Sequence, residues 1–279
     1  MIRLVVTLLT LAGTMAAQTP GQYADVNGLH MYYERHGPTD AKAPPLLLLH
    51  GGVGGITMFG PNLPALAAGR QVIAVELQGH GHTADIDRPL RFELMADDIA
   101  ALVAQLKIAQ VDVMGYSMGG GVALQVAIRH PQLVRRLVVV CEPIKRTGFF
   151  PEVQAAFEHM GPEAGAAMKQ SPLATMYPNV NWATLFTKIG DMARQNYDWS
   201  ADVAKITSPT MLIFADADAV TPAHMIEMWG LLGGGKRDAG LDGSGRPPGR
   251  LAIVPGTTHY DILSTDAVAR LAVPFLDRP

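Results

Sequence analysis

Six short, largely apolar runs, most of them separated by helix-length segments, restrict this chain more than any other feature. The first, Leu46-Leu47-Leu48-Leu49, follows Pro44-Pro45 and ends in His50-Gly51-Gly52. A strand with one face in water alternates polar and apolar residues, so four leucines in a row call for cover on both faces. A parallel sheet flanked by helices supplies that cover. Runs of the same kind recur at residues 72–75, 111–114, 137–140, 211–214 and 251–254. Strands alternating with helical segments imply an α/β fold with a mostly parallel central sheet.

Three stretches break the alternation. Asn27-Gly28 stands between two alternating segments and supplies the two positive φ angles of a type I′ turn, so the fold opens on a β-hairpin. Residues 143–205 carry Phe149, Phe150, Phe157, Met160, Met168, Met176, Trp182, Phe186, Met192 and Trp199, and are too long for a plain crossover. They read as an inserted helical lid between core segments 18–142 and 206–279. Residues 233–249 form a polar Gly- and Pro-rich loop, expected to be mobile at the surface. Among the helices, Asp97, Asp98, Ile99, Leu102, Val103 and Leu106 keep a 3.6-residue stripe, and 122–129 is a short apolar helix stopped before Pro131.

Gly115-Tyr116-Ser117-Met118-Gly119 follows the run at 111–114 and precedes a helix expected to begin near Gly120, the context of a nucleophile elbow. A sharp strand-to-helix turn leaves no room for side chains beside the serine, which explains glycine on both flanks. The turn also aims the helix N-terminus at the space above the hydroxyl. A serine hydroxyl needs a base, and the base needs an orienting acid. Asp216 and Asp218 follow the run at 211–214, and His259 follows the run at 251–254. Serine, acid and histidine thus each stand just beyond the C-terminal end of a strand, where open α/β sheets gather their ligands.

With His50-Gly51-Gly52, Gly79-His80-Gly81-His82, the turn around Ser117, the Asp218 loop and the His259 loop, the sequence resembles the α/β-hydrolase family, in its serine esterase and lactonase-like branch. The resemblance runs from the opening hairpin to the helix after His259. It implies Ser117 as nucleophile, His259 as base and Asp218 as acid. Asp216 is the fallback acid, and a rarer variant of the family would use Glu142. For the oxyanion hole it implies the N–H groups of Met118 and Gly52, with Val53 next. His50, His80 and His82 fall at turn positions where an imidazole braces loop backbone. His30, His36, His130, His159 and His224 read as surface or helix-end residues, and Cys141 as a buried small apolar residue. No cofactor or metal is implied: the Lys and Ser/Thr of a phosphate-binding loop are missing beside Gly51 to Gly55, and no Cys/His cluster has zinc spacing.

The expected reaction is hydrolysis of a carboxylic ester or lactone, bulky or macrocyclic substrates such as macrolides included. Alternatives on the same fold are a proline iminopeptidase-like peptidase, a cofactor-free haloperoxidase or C–C bond hydrolase, and a ligand-binding receptor. The chain has 22 Lys plus Arg against 25 Asp plus Glu and no basic run, so nucleic acid is not an expected partner. Arg3, the apolar stretch after it and the small residues through Ala17 read as a signal peptide over residues 1–17, which implies a secreted or periplasmic protein. That stretch is shorter than the roughly 20 residues of a membrane-spanning helix, so no stable membrane anchor is expected.

Overall fold

The structure is a computed structural model that describes residues 21–278; the expected signal peptide lies outside the described residues. Asn27 and Gly28, at φ of 48° and 86°, turn the chain between β1 (Gln22–Val26) and β2 (Leu29–His36), which pair antiparallel. The six apolar runs become β3 (Leu46–Leu49), β4 (Val72–Val75), β5 (Val111–Tyr116), β6 (Val134–Val140), β7 (Thr210–Ala217) and β8 (Arg250–Thr258). The eight strands form one sheet in the order β1-β2-β4-β3-β5-β6-β7-β8. β2 runs antiparallel to β4, and every pairing from β4 to β8 is parallel. This is the α/β-hydrolase fold.

The two-sided burial inferred from the leucine run is visible residue by residue. Leu47, Leu49, Ile73, Val75, Val113, Val139 and Phe214 enter one core, with α2 (Phe92–Gln105), α3 (Met118–Arg129) and residues of the insert. Their neighbours Leu46, Leu48, Val72, Ala74, Met114, Val140 and Ile213 enter the other, against α1 (Asn62–Ala67) and α10 (Ala267–Leu276). Each leucine so buried contributes about 1.5–3 kcal/mol relative to exposure. β8 departs from the expectation. As the edge strand it is only partly covered, and Ile253 is 47% exposed.

Between β6 and β7 lie α4 (Pro151–Glu158), α5 (Pro162–Ala167), α6 (Pro172–Met176), α7 (Trp182–Ala193) and α8 (Ser200–Val203); α9 (Pro222–Leu231) follows β7. Among the described residues no helix is long and apolar enough to cross a membrane. The chain passes from β3 to β4 on one side and then returns to β5 on the other. The strand order therefore reverses between β3 and β5, and a crevice opens at their carboxyl ends.

At the opposite end of the sheet, Asp112 of β5 is fully buried and accepts from Arg70 at 3.0 Å and from Arg135 at 2.6 and 2.8 Å. Arg135 also donates to Leu276 O at 2.6 Å, and Arg70 to Asp277, so the charged cluster ties β5 and β6 to the end of α10. Removing Asp112 takes from the buried Arg70 and from Arg135 the one fully buried carboxylate they share. Asp112→Ala is expected to lower unfolding stability by about 3–5 kcal/mol in urea denaturation; a loss under about 1 kcal/mol would contradict this role for the cluster.

Candidate functional site

Everything at the carboxyl end of the sheet is organised by the turn from β5 into α3. A Cβ added to Gly115 would lie 1.9 Å from Gly119 O, and one on Gly119 would lie 2.3 Å from Leu49 O. Two backbones meet here with no space for a methyl group. Ser117 takes φ 49° and ψ −127° as the cap of α3, a conformation sparsely populated by residues with a side chain. Its N–H donates to Val140 O at 2.8 Å, and its carbonyl accepts from Gly120 N at 2.6 Å. The helix accordingly begins at Met118 rather than near Gly120, because the strained residue is itself the cap.

The structure brings Ser117, His259 and Asp218 together. Ser117 Oγ lies 3.0 Å from His259 Nε2, and His259 Nδ1 lies 2.9 Å from Asp218 Oδ1. Asp218 also accepts from Ala215 N at 3.0 Å and Val220 N at 3.2 Å. Burial pushes its carboxyl upward, but the bonds from His259, Cys141 and the Ala215 N–H outweigh that and hold it below the usual carboxylate range. Tyr116 Oη donates to His259 O at 2.5 Å and fixes the loop that carries the imidazole. Nothing in the sequence marks this role, because the bond spans 143 residues of chain.

The fallback acids have other surroundings. Asp216 is exposed and accepts from Gly256 N at 2.8 Å and Thr257 N at 3.1 Å. It ties β7 to β8. Glu142 is 2% exposed and lines the cavity above Ser117. Burial, reinforced by the nearby negative charge of Asp218, pushes its carboxyl well above the usual range. Cys141 is fully buried as expected, yet it is more than filler. Its thiol, raised well above its usual value chiefly by burial, bonds the Asp218 carboxylate. Cys141, Asp218 and His259 present ligand-type atoms within 4.8 Å of one another. With the thiol protonated and the other two bonded to each other, those atoms already serve the hydrogen-bonded chain.

Gly52 and Met118 stand side by side at the cavity wall: a Cβ on Gly52 would lie 3.8 Å from Met118 Sδ. Val53 N–H is committed to His80 Nε2 at 3.2 Å, which leaves Gly52 as the donor candidate on this loop. His80 donates from Nδ1 to Gln78 O at 2.9 Å, and burial lowers it to about 4. His50 donates from Nδ1 to Gly51 O at 2.7 Å, accepts from Leu77 N at 3.0 Å, and is lowered to about 3 by burial. Both imidazoles are neutral braces for the loops. His82 is half-exposed and pairs with Glu76 at 2.9 Å. His224, read as surface or helix-end, does sit in the first turn of α9 but is buried, accepting from Ile144 N at 3.1 Å.

A cavity of about 290 Å³ lies over Ser117 and His259. The insert contributes Phe149, Val153, Phe157, Met160, Ile189 and Met192 to its wall, whereas Trp182 and Trp199 are buried in the packing. The loop 233–249 contributes no lining residue to it.

Glu142 carries a stability consequence. Below its unfolded pKa, both folded and unfolded chains hold its proton. Above it, only the folded chain does, so its burial destabilises increasingly as pH rises. Glu142→Gln is expected to raise Tm by a few degrees near pH 8, about 2–4 °C per kcal/mol at this size, with the gain vanishing near pH 4. A gain independent of pH across thermal melts would contradict the assignment.

The profile of the family described as the α/β hydrolase fold matches residues 44–162. The chain is 30% identical over 226 residues to the dihydrolipoyllysine-residue acetyltransferase component of the acetoin cleaving system of Cupriavidus necator, a match spanning 81% of this chain and 54% of that protein. It is 33% identical over 111 residues to a putative carbamate hydrolase, RutD, of Agrobacterium fabrum, across 39% of this chain and 42% of that protein. The chain thus spans about half the length of these curated relatives. The crystal structure of an enol-lactonase from Burkholderia xenovorans superposes with a TM-score of 0.72 at 22% identity, covering 92% of this chain and all of that one, and shows the shared fold.

Proposed function

We propose that this chain, an α/β hydrolase by fold and family profile with lactonase-like relatives, cleaves carboxylic esters or lactones through an acyl-enzyme on Ser117. The observation that carries the reading is the continuous hydrogen-bonded path from Ser117 Oγ through both nitrogens of His259 to Asp218. His259 Nε2 takes the hydroxyl proton as Oγ attacks the carbonyl carbon. Asp218, held below the usual carboxylate range, stays ionised and stabilises the imidazolium that forms. The N–H groups of Gly52 and Met118 receive the oxygen as it gains charge; losing one such donor typically costs about 10²- to 10³-fold in turnover. His259 then returns the proton to the leaving alkoxide, and water activated by the same imidazole releases the acid.

The helical insert, residues 143–205, is proposed as the cap over this site. Its apolar wall suits a bulky, uncharged ester or lactone, and the names of the enol-lactonase and the putative carbamate hydrolase both denote acyl chemistry. Export is proposed from the leader pattern of residues 1–17.

Ser117→Ala is expected to lower turnover of p-nitrophenyl esters by about 10⁴-fold or more while leaving Tm nearly unchanged. A fluorophosphonate probe should label Ser117 in the wild type and lose that label in His259→Ala. Activity near wild type in Ser117→Ala would refute the mechanism, and preference for prolyl amides over esters and lactones would refute the substrate class.

A further inference from the structure

We propose that Glu142 forms a polar subsite in the cavity, donating a hydrogen bond from its carboxyl to an uncharged oxygen substituent of the substrate: a hydroxyl, ether or ketone. The proposal rests on the ester-hydrolase reading and adds to it the residue that reads substrate chemistry away from the scissile bond.

Successive side chains at the end of β6 diverge: Cys141 meets Asp218, while Glu142 lines the cavity. Its carboxyl lies over the first turn of α3, where a Cβ on Gly121 would come within 3.0 Å of Glu142 Oε1 and 2.4 Å of the Phe92 ring. Phe92 in turn packs against Tyr197, which lines the same wall, at 5.8 Å between ring centroids. Among the described residues no hydrogen-bond donor reaches the Glu142 carboxyl. The carboxyl borders the cavity, where a bound molecule can meet it. Glu142 is not needed as the partner of His259, because Asp218 already occupies Nδ1 at 2.9 Å.

The chemistry of the partner follows from charge. Burial and the nearby Asp218 carboxylate push Glu142 toward its protonated form, in which the carboxyl donates. A carboxylate substituent would face two acids. An ammonium would have to ionise Glu142 inside a largely apolar wall that includes Phe149, Val153, Phe157, Met160 and Ile189, with Asp218 already committed to His259. An uncharged oxygen acceptor matches a protonated carboxyl without moving any charge out of water.

The test compares wild type, Glu142→Gln and Glu142→Leu on p-nitrophenyl hexanoate, its hydroxy and oxo derivatives substituted at successive carbons, and its 6-amino derivative. Wild type is expected to favour at least one oxygenated ester over the parent by about tenfold in kcat/KM. Glu142→Leu should lose roughly ten- to hundredfold more on that ester than on the parent. Glu142→Gln, whose amide still donates, should stay within about threefold of wild type on both. Three outcomes would overturn the subsite: no preference for any oxygenated ester in wild type, an equal loss on every ester in Glu142→Leu, or a loss confined to the amino ester and shared by Glu142→Gln. If no ester is turned over and fluorophosphonate leaves Ser117 unlabelled, the ester-hydrolase reading fails and the subsite with it. Turnover of hexanoate with Ser117 labelled keeps the two failures apart.

Discussion

The close approach of α3 to the ends of β3 and β5 is the constraint on which the remainder of the site depends. Gly115 and Gly119 bring peptide groups to distances that no Cβ tolerates, and this contact falls where the strand order reverses. Ser117 is thereby held at a positive φ, with its hydroxyl above the sheet and the start of a helix beside it. A looser turn would relax the serine, and would also separate it from His259 and from the Gly52 loop. The strain is sustained because the sheet beneath is buried on both faces, and because Val140 O anchors the serine's own amide.

Around that turn the fold places two carboxyl groups in opposite environments. Asp218 accepts bonds from an imidazole, a thiol and two backbone amides, and these outweigh its burial. Glu142 has burial and a neighbouring negative charge, with nothing to offset them. Two acids near each other are thus pushed in opposite directions, Asp218 below and Glu142 above the usual carboxylate range. Cys141 belongs to this arrangement, since its thiol helps Asp218 remain charged.

Much of the fold was legible in the chain because its signals are local. Consecutive apolar residues can only be covered from both sides, and Asn-Gly can only turn one way at low cost. Glycine on both flanks of a serine, between a strand and a helix, marks a turn too tight for side chains. The discrepancies arise where a neighbour decides. Ile253 belongs to a run that reads as buried, but β8 is the last strand and one side has no partner. His224 is buried although it sits at a helix start, because Ile144 N–H comes from a distant segment to meet it. Asp216 reads as the fallback acid, yet β8 offers it two amides.

The sequence alone pointed to the architecture, to Ser117 and His259, and to an acid after the run at 211–214, because these follow from short-range patterns: apolar runs, turn chemistry and the order of residues after strands. The tertiary structure decided how those side chains behave. That Asp218 rather than Asp216 or Glu142 bonds His259, that Val53 is committed to His80 while Gly52 stays open to the cavity, and that burial beside Asp218 pushes the Glu142 carboxyl upward all follow from through-space distance and burial. Electrostatic character is set by what lies within a few ångströms, and those neighbours come from strands and helices far apart in the chain.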